Sequence, residues 1–121
     1  MKYTSITVYG IPNCDSVKKA RTWLATQGHE SVFHDFKKQG LPEKALNHWL
    51  KVLGWESVLN RKGSSWRKLT VQEQGSITSA ASAKVFLMAN PSLIKRPVIE
   101  WQSGTQVDFT VGYQPEAWLA R

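Results

Sequence analysis

The chain has 121 residues, 41% hydrophobic and 21% charged, a length that suits one domain and a composition that supports a packed core rather than disorder. No apolar run approaches the roughly 18 residues a bilayer span requires, and the single cysteine excludes an intrachain disulfide. The net charge of +7 suits a polyanion, yet the basic residues are scattered and no helix-turn-helix, zinc-finger or RNP pattern accompanies them, so specific nucleic-acid binding is not expected.

The opening MKYTSITVYG has no long apolar stretch and no small-residue cleavage site, so no signal peptide is expected, and a free thiol then fits a reducing cytoplasm. Residues 5–9, SITVY, are β-branched and aromatic and read as a buried strand. Ile11-Pro12-Asn13 is a turn. A helix follows, with Val17, Ala20, Trp23, Leu24 and Gln27 on one face and Gly28 closing it. Residues 31–35, SVFHD, read as a second strand, so the first third is a βαβ unit with parallel strands.

Pro42-Glu43 opens the next helix, whose Leu46, Trp49, Leu50 and Leu53 fall at i, i+3, i+4 and i+7 before Gly54 stops it. Ala80 to Ala89 is another helical stretch, halted by Asn90-Pro91. Between these lies RKGSSWRKLT, read as a polar loop with Ser64-Ser65 as a flexible linker. Residues 40–92 are thus expected to form a helical insert. Residues 96–101 (RPVIEW), a turn at Ser103-Gly104, and alternating Val107, Phe109 and Val111 predict an antiparallel hairpin. Pro97 suits the start of its strand, where the missing N–H is tolerated. Pro115-Glu116 starts a last short helix with Trp118 and Leu119. The order βαβ, helices, ββα predicts one α/β domain over residues 1–121, thioredoxin-like with the helical insert in its middle.

The only cysteine, Cys14, falls at the mouth of the first helix. A thiol there meets unpaired backbone N–H groups and the positive end of the helix dipole, both of which favour thiolate. Lys18, one turn on, adds to this effect and Asp15 opposes it. A lone cysteine is more often an inert buried filler, but a filler would sit on the apolar stripe or within a strand. Because position 17 is Val, not Cys, thiol exchange at Cys14 must be monothiol, its disulfide formed with another molecule. The three histidines have no metal-ligand spacing, so no metal is expected. Of the six tryptophans, Trp23, Trp49 and Trp118 are assigned to the core, while Trp55, Trp66 and Trp101 are not placed by pattern.

Four separated stretches carry a resemblance: Tyr9-Gly10-Ile11-Pro12-Asn13-Cys14-Asp15, Leu59-Asn60-Arg61-Lys62, Leu93-Ile94-Lys95-Arg96-Pro97-Val98 and Val111-Gly112-Tyr113. In order and spacing the chain resembles the ArsC/Spx family, which holds glutaredoxin-coupled arsenate reductases, the Spx regulators and YffB-type proteins. It is most similar to the YffB-type branch. The resemblance implies a thioredoxin fold with a helical insert, Cys14 as nucleophile, Arg61 and Arg96 as anion-binding residues, and Pro97 as a cis-proline facing the cysteine. It also implies glutathione as co-substrate, with glutaredoxin or a protein disulfide as partner, in a cytoplasmic monomer. Asn13, as a cap or thiol-orienting residue, and Lys18 complete the expected substrate site. The family's arsenate reductases carry Ser and Arg where this chain has Val17 and Lys18, and a late arginine where it reads Phe109-Thr110-Val111-Gly112-Tyr113. Arsenate reduction is therefore disfavoured. The alternative is a non-catalytic, Spx-like regulator or adaptor that binds a protein such as RNA polymerase.

Overall fold

The computed structural model describes residues 3–121, and its contacts form two compact units. The first ends at Gly40 and resumes at Arg96; the second is Leu41–Lys95.

The first unit is built on a four-stranded sheet of order β2-β1-β3-β4: β1 (Ser5–Gly10), β2 (Val32–Asp35), β3 (Val98–Ser103) and β4 (Gln106–Val111). β1 runs parallel to β2 and antiparallel to β3, and β3 is antiparallel to β4, so the α/β fold is thioredoxin-like. A parallel β1–β2 pair needs a crossover, which α1 (Asp15–Thr26) supplies. The period-2 pattern of β1 sends Ile6 and Val8 to one face, where register pairs them with Trp101 and Ile99 of β3. α1 lays Ala20 and Leu24 on that face and α8 (Pro115–Leu119) adds Trp118, completing a core of seven buried residues. Trp118 meets Trp23 and Tyr113 edge-on at 5.3 and 5.5 Å between ring centres. Trp101 is 2% exposed and belongs to this core, because its register opposite Ile6 sends it to the same face.

α1 ends in a Schellman motif. Gly28 takes φ 79, its N–H bonding the Ala25 carbonyl at 3.0 Å and that of His29 the Leu24 carbonyl at 2.9 Å. After β2 the chain forms a turn of helix not anticipated from the pattern, α2 (Phe36–Gln39), capped by Asp35 accepting from Lys37 N at 2.8 Å.

The second unit is helical. α3 (Glu43–Leu53) buries Leu46, Trp49 and Leu50, as its apolar spacing predicts, and α7 (Ala80–Ala89) buries Ala83 and Leu87. Between them run α4 (Trp55–Val58), α5 (Ser64–Arg67) and α6 (Val71–Ser76). The stretch RKGSSWRKLT is therefore not a plain loop, and Ser64-Ser65 is not a flexible linker. Arg67 Nη1 donates to the Lys62 carbonyl at 2.9 Å, and Thr70 and Glu73 form a reciprocal capping box that starts α6. A 3-10 turn at Pro91–Leu93 leads to a bridge between Leu59 and Ile94.

Candidate functional site

The site begins where β1 ends. Gly10 is buried and opposite Asp35, and the chain turns through Ile11-Pro12-Asn13 before α1 starts at Asp15. An ideal Cβ on Gly10 would lie 2.7 Å from Val17 Cγ2, closer than packed carbons come. The missing side chain thus lets the first turn of α1 seat against the strand end, which fixes where Cys14 stands.

Cys14 is a free thiol, half-buried, at the N-cap position with extended backbone (φ −143, ψ 123). Its carbonyl accepts the first helical bond, from Lys18 N at 2.9 Å. No side chain caps the helix. Asn13 therefore does not have the capping role expected of it. Because the helix starts at Asp15, the half-in position falls on Cys14, and Asn13 lies one residue outside it, exposed.

Two further stretches meet this end of the sheet through strand register. Tyr9 pairs with Val98, so the start of β3 lies beside the end of β1, and the buried Pro97 sits at that edge with a cis Arg96–Pro97 peptide. Val98 pairs in turn with Val111, and Gly112 N donates to the Pro97 carbonyl at 2.9 Å. Gly112 adopts φ 82, open mainly to glycine. Cys14, Arg96, Pro97 and Gly112 thus share one sheet end. In the sequence, the isolation of Gly10 and Gly112 within apolar runs is the signal of their special backbone roles.

Tyr9 was not singled out from sequence. It lies on the sheet face opposite Ile6 and Val8, its ring tilted against His34 at 4.9 Å between centres, with its hydroxyl 3.5 Å from Glu100 Oε2. Burial first, then the Glu100 carboxylate, pushes its phenol up from the ordinary 10.0 to about 12.

Arg61 belongs to the second unit. It leaves the Leu59–Ile94 bridge two residues on, in a turn where Asn60 Oδ1 accepts from Lys62 N at 3.0 Å. Its guanidinium lies 5.3 Å from the Trp55 ring centre and 4.0 Å from Glu56 Oε2, with both charged side chains largely exposed. Such a pair is worth at most about 1 kcal/mol, so a better-placed anion can displace Glu56. Among the described residues no group of three His, Cys, Asp or Glu side chains could hold a metal, and no helix is long and apolar enough to cross a membrane.

The ArsC family model matches residues 9–121. The chain belongs to the ArsC family. Solved structures agree with this. The YFFB protein is 39% identical with a TM-score of 0.84, covering 96% of this chain and 97% of its own. An arsenate reductase (ArsC) related protein from Brucella melitensis is 42% identical with a TM-score of 0.73, over 97% of this chain and 93% of its own. Among curated relatives, the global transcriptional regulator Spx of Streptococcus agalactiae is 31% identical over 108 residues, 86% of this chain and 76% of its own length. This ArsC-family chain is therefore similar both to reductase-related proteins and to regulators, and its own residues must decide between the two.

Proposed function

We propose that this chain is a monothiol, glutathione-dependent thiol/disulfide reductase with Cys14 as its nucleophile. The observation that carries the reading is the half-exposed free thiol at the N-terminus of the twelve-residue α1, at the sheet end that also holds Arg96 and Pro97. The first N–H groups of α1 have no intrahelical partners and offer donors to charge developing on sulfur during exchange. In the first step the Cys14 thiolate attacks the glutathione sulfur of a mixed disulfide, forms the Cys14–glutathione disulfide and expels the other sulfur as thiolate. Glutathione thiolate then attacks the Cys14 adduct and releases glutathione disulfide. Arg96 and Lys18 bind the carboxylates of glutathione, for which a guanidinium fork is well suited, and Arg61 is proposed as a further anion-binding residue. Asn13 contributes exposed amide donors beside the thiol, and the backbone around Pro97 pairs with the extended tripeptide.

Two features weigh against arsenate as substrate. Val17 is 0% exposed and packed against Gly10, so the turn after Cys14 gives an oxyanion no hydroxyl at that position. Residues 109–113 supply no guanidinium. The second reading, an Spx-like adaptor in the cytoplasm, is supported by the 31% identity to the S. agalactiae regulator.

The test is reduction of a glutathione–hydroxyethyl mixed disulfide by glutathione. Cys14→Ser should abolish it, and Arg61→Ala or Arg96→Ala should raise KM for glutathione about tenfold, the worth of one charge-assisted hydrogen bond. Turnover that survives Cys14→Ser would sink the reading. An inert thiol together with retention of an RNA polymerase subunit in pulldowns would establish the adaptor instead.

A further inference from the structure

A structural feature beyond the thiol bears on which disulfides the chain acts upon. The solvent side of α1 is flanked by two grooves. One, of about 410 Å³, is walled by Trp23 and Tyr113 and rimmed by Lys18, Lys19, Thr22 and Thr26. The other, of about 480 Å³, is more polar and shares Lys18 and Thr22 while adding Arg21. Lys18, Lys19 and Arg21 make none of the salt bridges among the described residues. Arg21 instead lies over the Phe33 ring at 4.2 Å, which holds its guanidinium on the surface. Lys18 is bonded through its N–H to the Cys14 carbonyl, so this cationic saddle begins one helical turn from the thiol. From Lys18 to Thr26 it runs about 12 Å, the reach of three or four extended residues.

We infer that this face of α1 docks an acidic segment of a protein substrate, with an aromatic or apolar side chain seated between Trp23 and Tyr113 and carboxylates on Lys19 and Arg21. The inference rests on the reductase reading and deepens it, since the disulfide at Cys14 must involve another molecule and that molecule approaches across this face. Charge complementarity selects an acidic partner. The span selects a peptide segment, because one small ligand does not reach both flanks of the helix. The substrate class is a protein cysteine carrying glutathione. The Cys14 thiolate attacks the glutathione sulfur and the protein cysteine leaves as thiolate. A second glutathione then takes the first one off Cys14 as glutathione disulfide, so the protein disulfide is reduced and two glutathione thiols end joined.

The test compares two glutathionylated cysteine peptides, one with Glu residues and a Phe near the cysteine, the other with Gln in place of each Glu. The acidic peptide should be preferred about tenfold in kcat/KM at low salt, the preference shrinking at high salt. Lys19→Glu with Arg21→Glu should bring the ratio to about one or below. A ratio near one for the unaltered protein, or a ratio that survives the double charge reversal, would overturn the inference. Direct binding of the unreactive Cys-free peptides to Cys14→Ser separates docking from chemistry. Acidic-selective binding by a protein that turns over neither substrate would uphold the docking face and refute the reductase. Tighter binding of a single-stranded oligonucleotide of equal charge would make the face a nucleic-acid surface and overturn the proposal.

Discussion

Replacing Gly10 by Ala tests the joint between strand and helix on which Cys14 depends. The new methyl would sit 2.7 Å from Val17 Cγ2 and 3.6 Å from Cγ1. Ordinary carbon contact begins at about 3.5 Å, so the two groups must part by most of an ångström. Val17 is 0% exposed and β-branched, so it has neither room nor a free rotamer with which to yield. Overpacking of this kind costs about 1–3 kcal/mol. For a chain of this size that is a fall in Tm of roughly 3–15 °C, measured as well by urea unfolding followed by tryptophan fluorescence. Val17→Ala alone removes two buried methyls and should cost about 2 kcal/mol. In the Gly10→Ala background it removes the clash as well, so the double variant should be more stable than the sum of the two single losses by at least about 1 kcal/mol. Additive losses, or a Gly10→Ala protein that melts with the parent, would show that the contact does not set the seat of α1.

Three other outcomes follow from the structure. Tyr9 should ionise near pH 12 in an ultraviolet titration, a step that Tyr9→Phe removes. The folded chain keeps a proton that the unfolded chain releases, so this contribution is full below pH 10, fades as pH rises toward 12, and should be absent in Tyr9→Phe. Lys84 Nζ donates to Glu43 Oε2 at 2.6 Å, and that hydrogen bond, then the Lys84 charge, holds the Glu43 carboxyl below its usual range. Its contribution is therefore present above the ordinary carboxylate pKa and lost as pH falls through the depressed one, and acid titration of Glu43→Gln should show a shallower slope in that window. Thr70→Ala removes the acceptor for Glu73 N and should cost about 1 kcal/mol in chemical denaturation, with rescue by Thr70→Ser but not by Thr70→Val.

How legible each part was depended on the length of its pattern. β1, α1 and β2 could be read because a period of 2 gives way to 3.6 and back within one βαβ unit. The bounds of α7 were readable because Asn90-Pro91 stops it. α4, α5 and α6 are four to six residues long, too short for an apolar stripe to repeat. The signal available was Thr70-x-x-Glu73, a capping box hidden in a stretch that composition marked as loop. Asn13 was expected to cap the helix or orient the thiol, and the structure moves the cap position to Cys14 because Asp15 already belongs to the helix. Cys14 stood out as the only thiol, whereas Arg96 and Pro97 were named as its neighbours by the family resemblance and not by any pattern along the chain. The meeting of Tyr9 with Val98 and of Val98 with Val111 is a matter of strand register, which no local pattern states.

The sheet beside which Cys14 stands is discontinuous in the chain: the residues opposite β1 on one side follow a segment of more than fifty residues, Leu41–Lys95. On the ribosome, β1 and α1 emerge first and wait for β3. At about 5–20 residues per second, Pro97 is made about 4–17 s after Cys14. Through that interval β1 has no antiparallel neighbour, and Cys14 is made well before the residues at the start of β3 that share its end of the fold. Chain synthesis thus orders the arrival of this cysteine's folded surroundings, and slowing translation of the Leu41–Lys95 segment should increase adducts at Cys14 in newly made protein.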